Sequence, residues 1–232
     1  GNYRIEEVAA PFGYVLNQNY VEVKVDTDTF YEVDPDTYEA IITVEYEDAP
    51  AVGELVIEKK GEVLDAYKGG LFADSEDKEF IYKEGSLAGA KFEIYAAEDI
   101  YTADMQTDEN GNRNKYYAEG DLVVTVVTGE DGKAKVSDLP LGKYRVVEVE
   151  APYGYVLNKE EQIVTFVYVD DKTPVIRESL TFANERQKVD LSVAKLDGET
   201  GLPVSGAEFG LYAAEDIVNV DGKVIVEKDT LL

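Results

Sequence analysis

The chain has 232 residues, 44% of them hydrophobic, no Cys, no His, and a formal net charge of −27. So acidic a chain repels nucleic-acid phosphates and anionic lipid headgroups, which sets both aside as partners. Without Cys or His there are no thiol nucleophiles, imidazole bases, disulfides or usual zinc and copper ligands, so neither metal nor cofactor is expected.

From the first residue, "GNYRIEEVAAPFGYVLN" at 1–17 alternates apolar and polar residues and ends on an Ala-Pro-aromatic-Gly-Tyr turn. This is a strand followed by a turn in which Pro and Gly set the backbone angles. The acidic "DTDTFYEVDPD" at 26–36 reads as a solvated edge that discourages sheet-to-sheet association. "EAIITVEYE" at 39–47 alternates again. "GELVIEKKGE" at 53–62 carries Leu55, Ile57 and Lys59 on one strand face, with Lys60 on the other. The acidic, Gly-containing stretch near 61–86 suits an exposed loop or hairpin. "LAGAKFEIYAAEDI" at 87–100 is a strand whose end hints at a helical turn. "TDENGNRN" at 107–114 lacks the oxygen alternation and closing Glu of a calcium loop and reads as a turn. "DLVVTVVTGEDGKAKV" at 121–136 carries a hairpin signal at Glu-Asp-Gly.

The opening motif then returns. "GKYRVVEVEAPYGYVLN" at 142–158 repeats residues 1–17. "EQIVTFVYV" and "IRESLTFANE" follow as strands. "VDLSVAKLDGE" at 189–199 repeats the Lys strand, with Lys195 matching Lys59, and "VSGAEFGLYAAEDI" at 204–217 repeats residues 87–100. The repeats set the domain organisation: 1–52 is the second half of a unit, 53–187 a complete unit with its insertion near 61–86, and 188–232 the first half of a further unit. Many short strands separated by turns predict an all-β chain of tandem antiparallel β-sandwiches. No apolar stretch is long enough to span a bilayer and no signal peptide is present, so the chain reads as a window from a longer exported protein.

The order K…G-A-x-F-x-x-Y…L-P-x-G-x-Y-x-x-x-E-x-x-A-P-x-G-Y…F-x-N resembles the SpaA-type, or Cna B-type, domains of Gram-positive surface proteins and pilins. The resemblance covers the whole chain, and the middle unit matches every part of the pattern. It implies an immunoglobulin-like, transthyretin-like sandwich displayed outside the cell and attached to the wall through regions beyond this segment. It also implies a Lys–Asn isopeptide bond formed without cofactor and promoted by a buried acid. Carried over by residue, Lys59 and Asn184 are the bond partners and Glu148 the acid. Glu7 is the equivalent acid of the first half-unit, where Asp48 stands in place of the asparagine. An Asp can also form an amide, with loss of water. Lys195 matches the lysine of the last half-unit.

The chemistry requires these residue types. A Lys attacks a carbonyl only as a neutral amine, and burial disfavours its ammonium form. A neutral carboxyl in the same apolar wall can hydrogen-bond to the carboxamide oxygen and pass protons to the leaving ammonia. Folding supplies the proximity. Simpler readings stand beside each assignment. A strand Lys commonly reaches to water along its stem, Glu150 reads as the solvated neighbour of Glu148, Asp48 can equally be a surface carboxylate, and Tyr14 and Tyr155 read as packing residues. The acids are too evenly spread to nominate a catalytic pair, so no enzyme is expected.

The leading reading is a structural section of a cell-surface adhesin or pilin-like protein whose partners are its own neighbouring repeats. The alternative is a ligand-binding adhesin module that holds a host protein or glycan through the insertion or a sandwich face. The unmatched halves can be completed by neighbouring repeats of a longer array, the preferred reading, or head-to-tail by a second copy. Against the second stands a missing counterpart to "TVVTGEDGKAKVSDLPL", whose loss leaves sheet edges open.

Overall fold

The computed structural model describes residues 1–26, 31–69 and 78–232. Part of the acidic stretch 26–36 and the centre of the insertion lie outside the described residues. Among those described the chain is all-β, with no helix. None is therefore long and apolar enough to cross a membrane.

The first segment forms two ribbons, β1 (Asn2–Glu6) with β2 (Tyr20–Lys24), and β3 (Glu32–Val33) with β4 (Ala40–Ile41). The sandwich begins with β5 (Val52–Lys68), which is followed by β6 (Glu79–Ser86), β7 (Lys91–Ala96), β8 (Ile100–Tyr101), β9 (Lys115–Tyr117) and β10 (Leu122–Val127). It continues through β11 (Lys133–Pro140), β12 (Gly142–Glu150), β13 (Glu161–Phe166) and β14 (Val175–Asn184). The last segment holds only the short pair β15 (Ile217–Val218) and β16 (Val224–Val226).

Two sheets face each other in the middle unit. One runs β10-β7-β12-β13 and the other β11-β5-β14. Their inner positions meet in one core that includes Leu55, Ile57, Phe92, Ile94, Tyr144, Val146, Phe166 and Phe182. The alternation of β5 as far as Val63, with every second residue buried, is the period of two expected for a strand packed on one face.

The structure departs from the sequence reading in three places. The "AAEDI" ends form bends, and the first runs directly into β8. The strands around Glu-Asp-Gly do not pair with each other. β10 joins β7 and β11 joins β5, so the turn is an arch between the outer edges of the two sheets. Gly132 permits it with φ +71, and its N–H donates to the Gly129 carbonyl at 2.8 Å. The sandwich is also not wholly antiparallel, because β5 and β14 pair in parallel from Val52–Val175 to Gly61–Asn184. The insertion agrees with the expected hairpin and begins inside a strand. β5 continues past the sheet to Lys68 and pairs there with β6 as a projecting ribbon.

The middle unit touches both neighbours. The Phe12 ring lies 4.7 Å from that of Tyr168, whose hydroxyl donates to the Tyr14 carbonyl at 3.1 Å, and the Leu16 N–H donates to the Asp171 carbonyl at 2.8 Å. On the other side, the ribbon meets the last segment. The Val220 N–H donates to the Leu64 carbonyl at 3.0 Å, the Asn219 amide to the Asp65 carbonyl at 2.9 Å, and Lys83 lies 2.8 Å from Asp65 and 3.5 Å from Asp221.

Candidate functional site

Alternation along β5 turns Lys59 inward after Leu55 and Ile57. β14 lies beside it in a register that sets Phe182 opposite Lys59 and Asn184 opposite Gly61. Two strands approach closely here. A Cβ on Gly61 would lie 2.9 Å from the Asn184 carbonyl and 2.6 Å from Leu87 Cδ1, so the position demands Gly for space. From the facing sheet, β12 brings Glu148 to the same point, opposite Phe92 of β7.

Three polar side chains therefore converge inside an apolar core. Lys59 is 0% exposed, Glu148 2% and Asn184 5%. Lys59 Nζ lies 2.5 Å from Asn184 Oδ1 and 3.1 Å from Glu148 Oε1. Asn184 Nδ2 donates to that same Oε1 at 2.9 Å. The other oxygen, Oε2, accepts the backbone N–H of Asn158 at 3.0 Å. The Phe92 and Phe182 rings wall the site, with centroids 5.8 and 5.9 Å from Nζ. Burial pushes the Lys59 amine below its ordinary pKa, and outweighs the hydrogen bond and the charge of Glu148, which act the other way. The amine is thus biased toward its neutral, nucleophilic form.

The arrangement refines the expected geometry. Sequence reasoning aims the acid at the carboxamide oxygen. In the fold that oxygen faces Lys59 from the adjacent strand, and Glu148, coming from the opposite sheet, meets the amide nitrogen. One carboxylate oxygen thus touches both the amine and the group that would leave.

Lys60 lies on the other face, with its Nζ 3.4 Å from Ser86 Oγ. Glu150 is exposed, for a reason alternation cannot supply, since residues 148 and 150 of a regular strand share a face. The register against β7 shifts between Glu148 and Glu150, and this bulge releases the second carboxylate to solvent. Tyr155 is used structurally, its hydroxyl donating to the Glu62 carbonyl at 2.8 Å. The 107–114 stretch is a turn in which Asp108 Oδ1 accepts the N–H groups of Asn110 and Asn112, each at 2.8 Å. No cluster of three or more metal-binding side chains occurs among the described residues.

Sequence reasoning missed Asn158. It donates its N–H to Glu148 and its side-chain amide to the Ala183 carbonyl at 3.0 Å, and so ties the acid to the residue before Asn184. The signal was available, because both copies of the repeated motif end in Asn.

The first segment rebuilds this frame. Asn17 donates its N–H to Glu7 Oε2 at 2.7 Å and its amide to the Glu47 carbonyl at 3.0 Å. A bridge links Tyr14 to Pro50 as one links Tyr155 to Arg186. Asp48 thus occupies the place of Asn184 and Glu7 that of Glu148. Among the described residues no lysine enters this site, and Asp48 Oδ1 is buried without a hydrogen-bond partner. Lys195 lies exposed outside any strand, its carbonyl accepting the Val204 N–H at 2.9 Å, and is not joined to Glu7 or Asp48.

Residues 79–179 match the family model of the SpaA prealbumin-like fold domain. Among solved structures, the Bacillus anthracis TIE protein is similar over 100% of this chain at 25% identity with a TM-score of 0.46, and the chain spans 33% of that protein's length. GBS52, the minor pilin of Streptococcus agalactiae, is 18% identical over 77% of this chain and 68% of its own, with a TM-score of 0.35. The major pilin SpaD of Corynebacterium diphtheriae is 23% identical over 58% of this chain and 30% of its own, with a TM-score of 0.33. No curated protein matches the chain.

Proposed function

Residues 79–179 carry a SpaA-type prealbumin-like domain, a structural and non-enzymatic module, and on that premise we propose that this chain is a spacer section of a Gram-positive pilus or surface adhesin, covalently closed on itself. The observation that carries the proposal is the buried contact of Lys59, Glu148 and Asn184. Lys59 Nζ attacks Asn184 Cγ, the Nζ–Cγ bond forms, and the Cγ–Nδ2 bond breaks. Glu148 Oε1 takes a proton from Nζ and delivers it to Nδ2, which leaves as ammonia. No co-reactant is consumed, and the reaction occurs once per molecule. Proximity within a water-poor core lowers the barrier, as it does for other pre-positioned pairs.

The contacts at both ends of the middle unit support the spacer reading. The turn around Phe12 and the projecting ribbon each engage an adjacent segment, so the partners of this unit are its neighbours in the chain. The ribbon contacts favour a strut between units. On this reading the protein is displayed outside the cell and attached to the wall by regions beyond this segment.

Intact-mass measurement tests the bond. Folded protein should weigh about 17 Da less than its sequence sum, one ammonia. Glu148→Gln keeps the side-chain shape but cannot shuttle a proton, so its mass should equal the sequence sum while its circular dichroism stays that of a β protein. Wild-type protein without the mass deficit would overturn the proposal.

A further inference from the structure

Every second residue of the loop after β12 is bonded to the chain that carries Asn184. The Gly154 carbonyl accepts the Gln187 N–H at 2.8 Å, the Val156 N–H donates to the Glu185 carbonyl at 2.9 Å, and the Asn158 side-chain amide donates to the Ala183 carbonyl at 3.0 Å. The residues on both sides of Asn184 are therefore held, and the last of the three bonds is made by a side chain. That side chain is fixed at its other end too, where Asn158 Oδ1 accepts the Glu160 N–H at 2.9 Å. The backbone N–H of the same residue meets Glu148 Oε2 at 3.0 Å. One residue thus links the two sheets at the site, gripping the acid of β12 and the strand that carries the carboxamide.

The grip governs how a proton can move. A backbone N–H only donates, so Oε2 is kept as an acceptor and a proton on the Glu148 carboxyl belongs on Oε1. Oε1 is the oxygen 3.1 Å from Lys59 Nζ and 2.9 Å from Asn184 Nδ2. A proton taken from the amine is therefore carried on the atom that already touches the leaving nitrogen. The carboxyl need not turn over between the two transfers. The contact is made across the sandwich, where a small displacement of either partner would open it.

The first segment repeats the ladder. The Gly13 carbonyl accepts the Ala51 N–H at 2.9 Å, the Val15 N–H donates to the Ala49 carbonyl at 2.9 Å, and the Asn17 amide donates to the Glu47 carbonyl at 3.0 Å. The Asn17 N–H donates to Glu7 Oε2 at 2.7 Å. The arrangement belongs to the motif itself and occurs with each of its two copies.

On the reading that Lys59 and Asn184 become joined, we propose that Asn158 is a positioning residue for that reaction: it turns Glu148 Oε1 toward Nζ and Nδ2 and holds Asn184 against Lys59. It acts through the two residues it grips.

The test uses the full chain, recovered unreacted in denaturant with a mass equal to its sequence sum. It is diluted into buffers from about pH 6 to 10 and followed by mass spectrometry as the deficit of about 17 Da appears. In Asn158→Ala the deficit should form on the order of 10- to 100-fold more slowly, with the circular dichroism of a β protein retained. The pH profile should move as well. Burial holds the Lys59 amine below its ordinary value, and Glu148 is the charged group that opposes this. A Glu148 no longer turned toward Nζ opposes it less, so the rate should rise at lower pH than in wild type. A variant that merely loosened the core would admit water and move the rise toward the ordinary 10.5. Asn158→Asp keeps the shape and the acceptor for the Glu160 N–H but offers Ala183 no donor when ionised, and should be slow too. Asn17→Ala, the same truncation in the other copy, should leave the rate unchanged. Wild-type rates in both Asn158 variants, a rise moved to higher pH in Asn158→Ala, or loss of β structure in both variants overturns this inference while the bond stands. If wild-type chain never shows the deficit, the proposed bond fails and this inference with it.

Discussion

Tyr144 and Tyr3 occupy the same position of the same seventeen-residue motif, yet Tyr144 is 0% exposed and Tyr3 59%. Ile57 and Val193 form a second such pair, at 0% and 57%. Alternation marks which face of a strand is apolar, but only an opposing sheet buries it. The middle unit has two facing sheets, and neither flanking segment has an opposing sheet among the described residues. The same difference governs chemistry. The Glu148–Asn184 pair receives a lysine, and the Glu7–Asp48 pair does not.

The contrast between the regions can be broken most strongly at Asn184. Asn184→Ala removes the proposed bond and should cost the middle unit about 5 kcal/mol, the loop-closure value for a link of this span. That corresponds to on the order of 15 °C in Tm for a unit of this size. Limited proteolysis would report it directly. Wild-type protein should leave a resistant core near 53–187, while the variant should be cut within it at rates approaching those of the flanks. Equal resistance of the two proteins would argue that no covalent closure operates.

A smaller effect is expected at Gly61. The added methyl of Gly61→Ala meets the Asn184 carbonyl and Leu87, so the strands must part, at a cost of about 1–3 kcal/mol. The separation also moves Nζ away from Cγ. Time-resolved mass spectrometry after refolding should show slower ammonia loss than in wild type, and an unchanged rate would place the close approach outside the chemistry.

The smallest expected effect sharpens the role of burial. In the unlinked Asn184→Ala protein the Lys59 amine is held below its ordinary value of 10.5. Just below that value the unfolded chain therefore binds more protons than the folded one, and stability rises with pH through the window between the folded and unfolded values. Wild-type protein, with its amine consumed, should lack this increment. Denaturant midpoints of the two proteins compared from about pH 7 to 10 would check it, and parallel curves would contradict it.

Much of the site was legible in the sequence, because it depends on strand faces. Lys59 and Lys60 were separable by alternation alone, whereas Glu148 came from the resemblance to the SpaA-type pattern. What alternation cannot supply is the identity of the neighbouring strand. The parallel pairing of β5 with β14, and the arch that sends β10 and β11 to different sheets, depend on contacts far apart in the chain. Glu150 shows the same limit locally, since a bulge, not the residue pattern, turns it outward. Asn158 was visible twice but had no assigned partner until Glu148 and Ala183 were brought beside it.

The parallel register of β5 and β14 has a mechanical consequence. Chain enters the middle unit at Val52 and leaves it at Asn184, and the ladder between them runs from Val52–Val175 to Gly61–Asn184. Tension applied to the two ends is therefore directed along the strands in opposite senses and loads the whole ladder in shear. With Lys59 and Asn184 joined, the load path crosses directly from one strand to the other near their far end. The 60–183 stretch, ribbon and arch included, then carries no tension and stays folded while its neighbours extend.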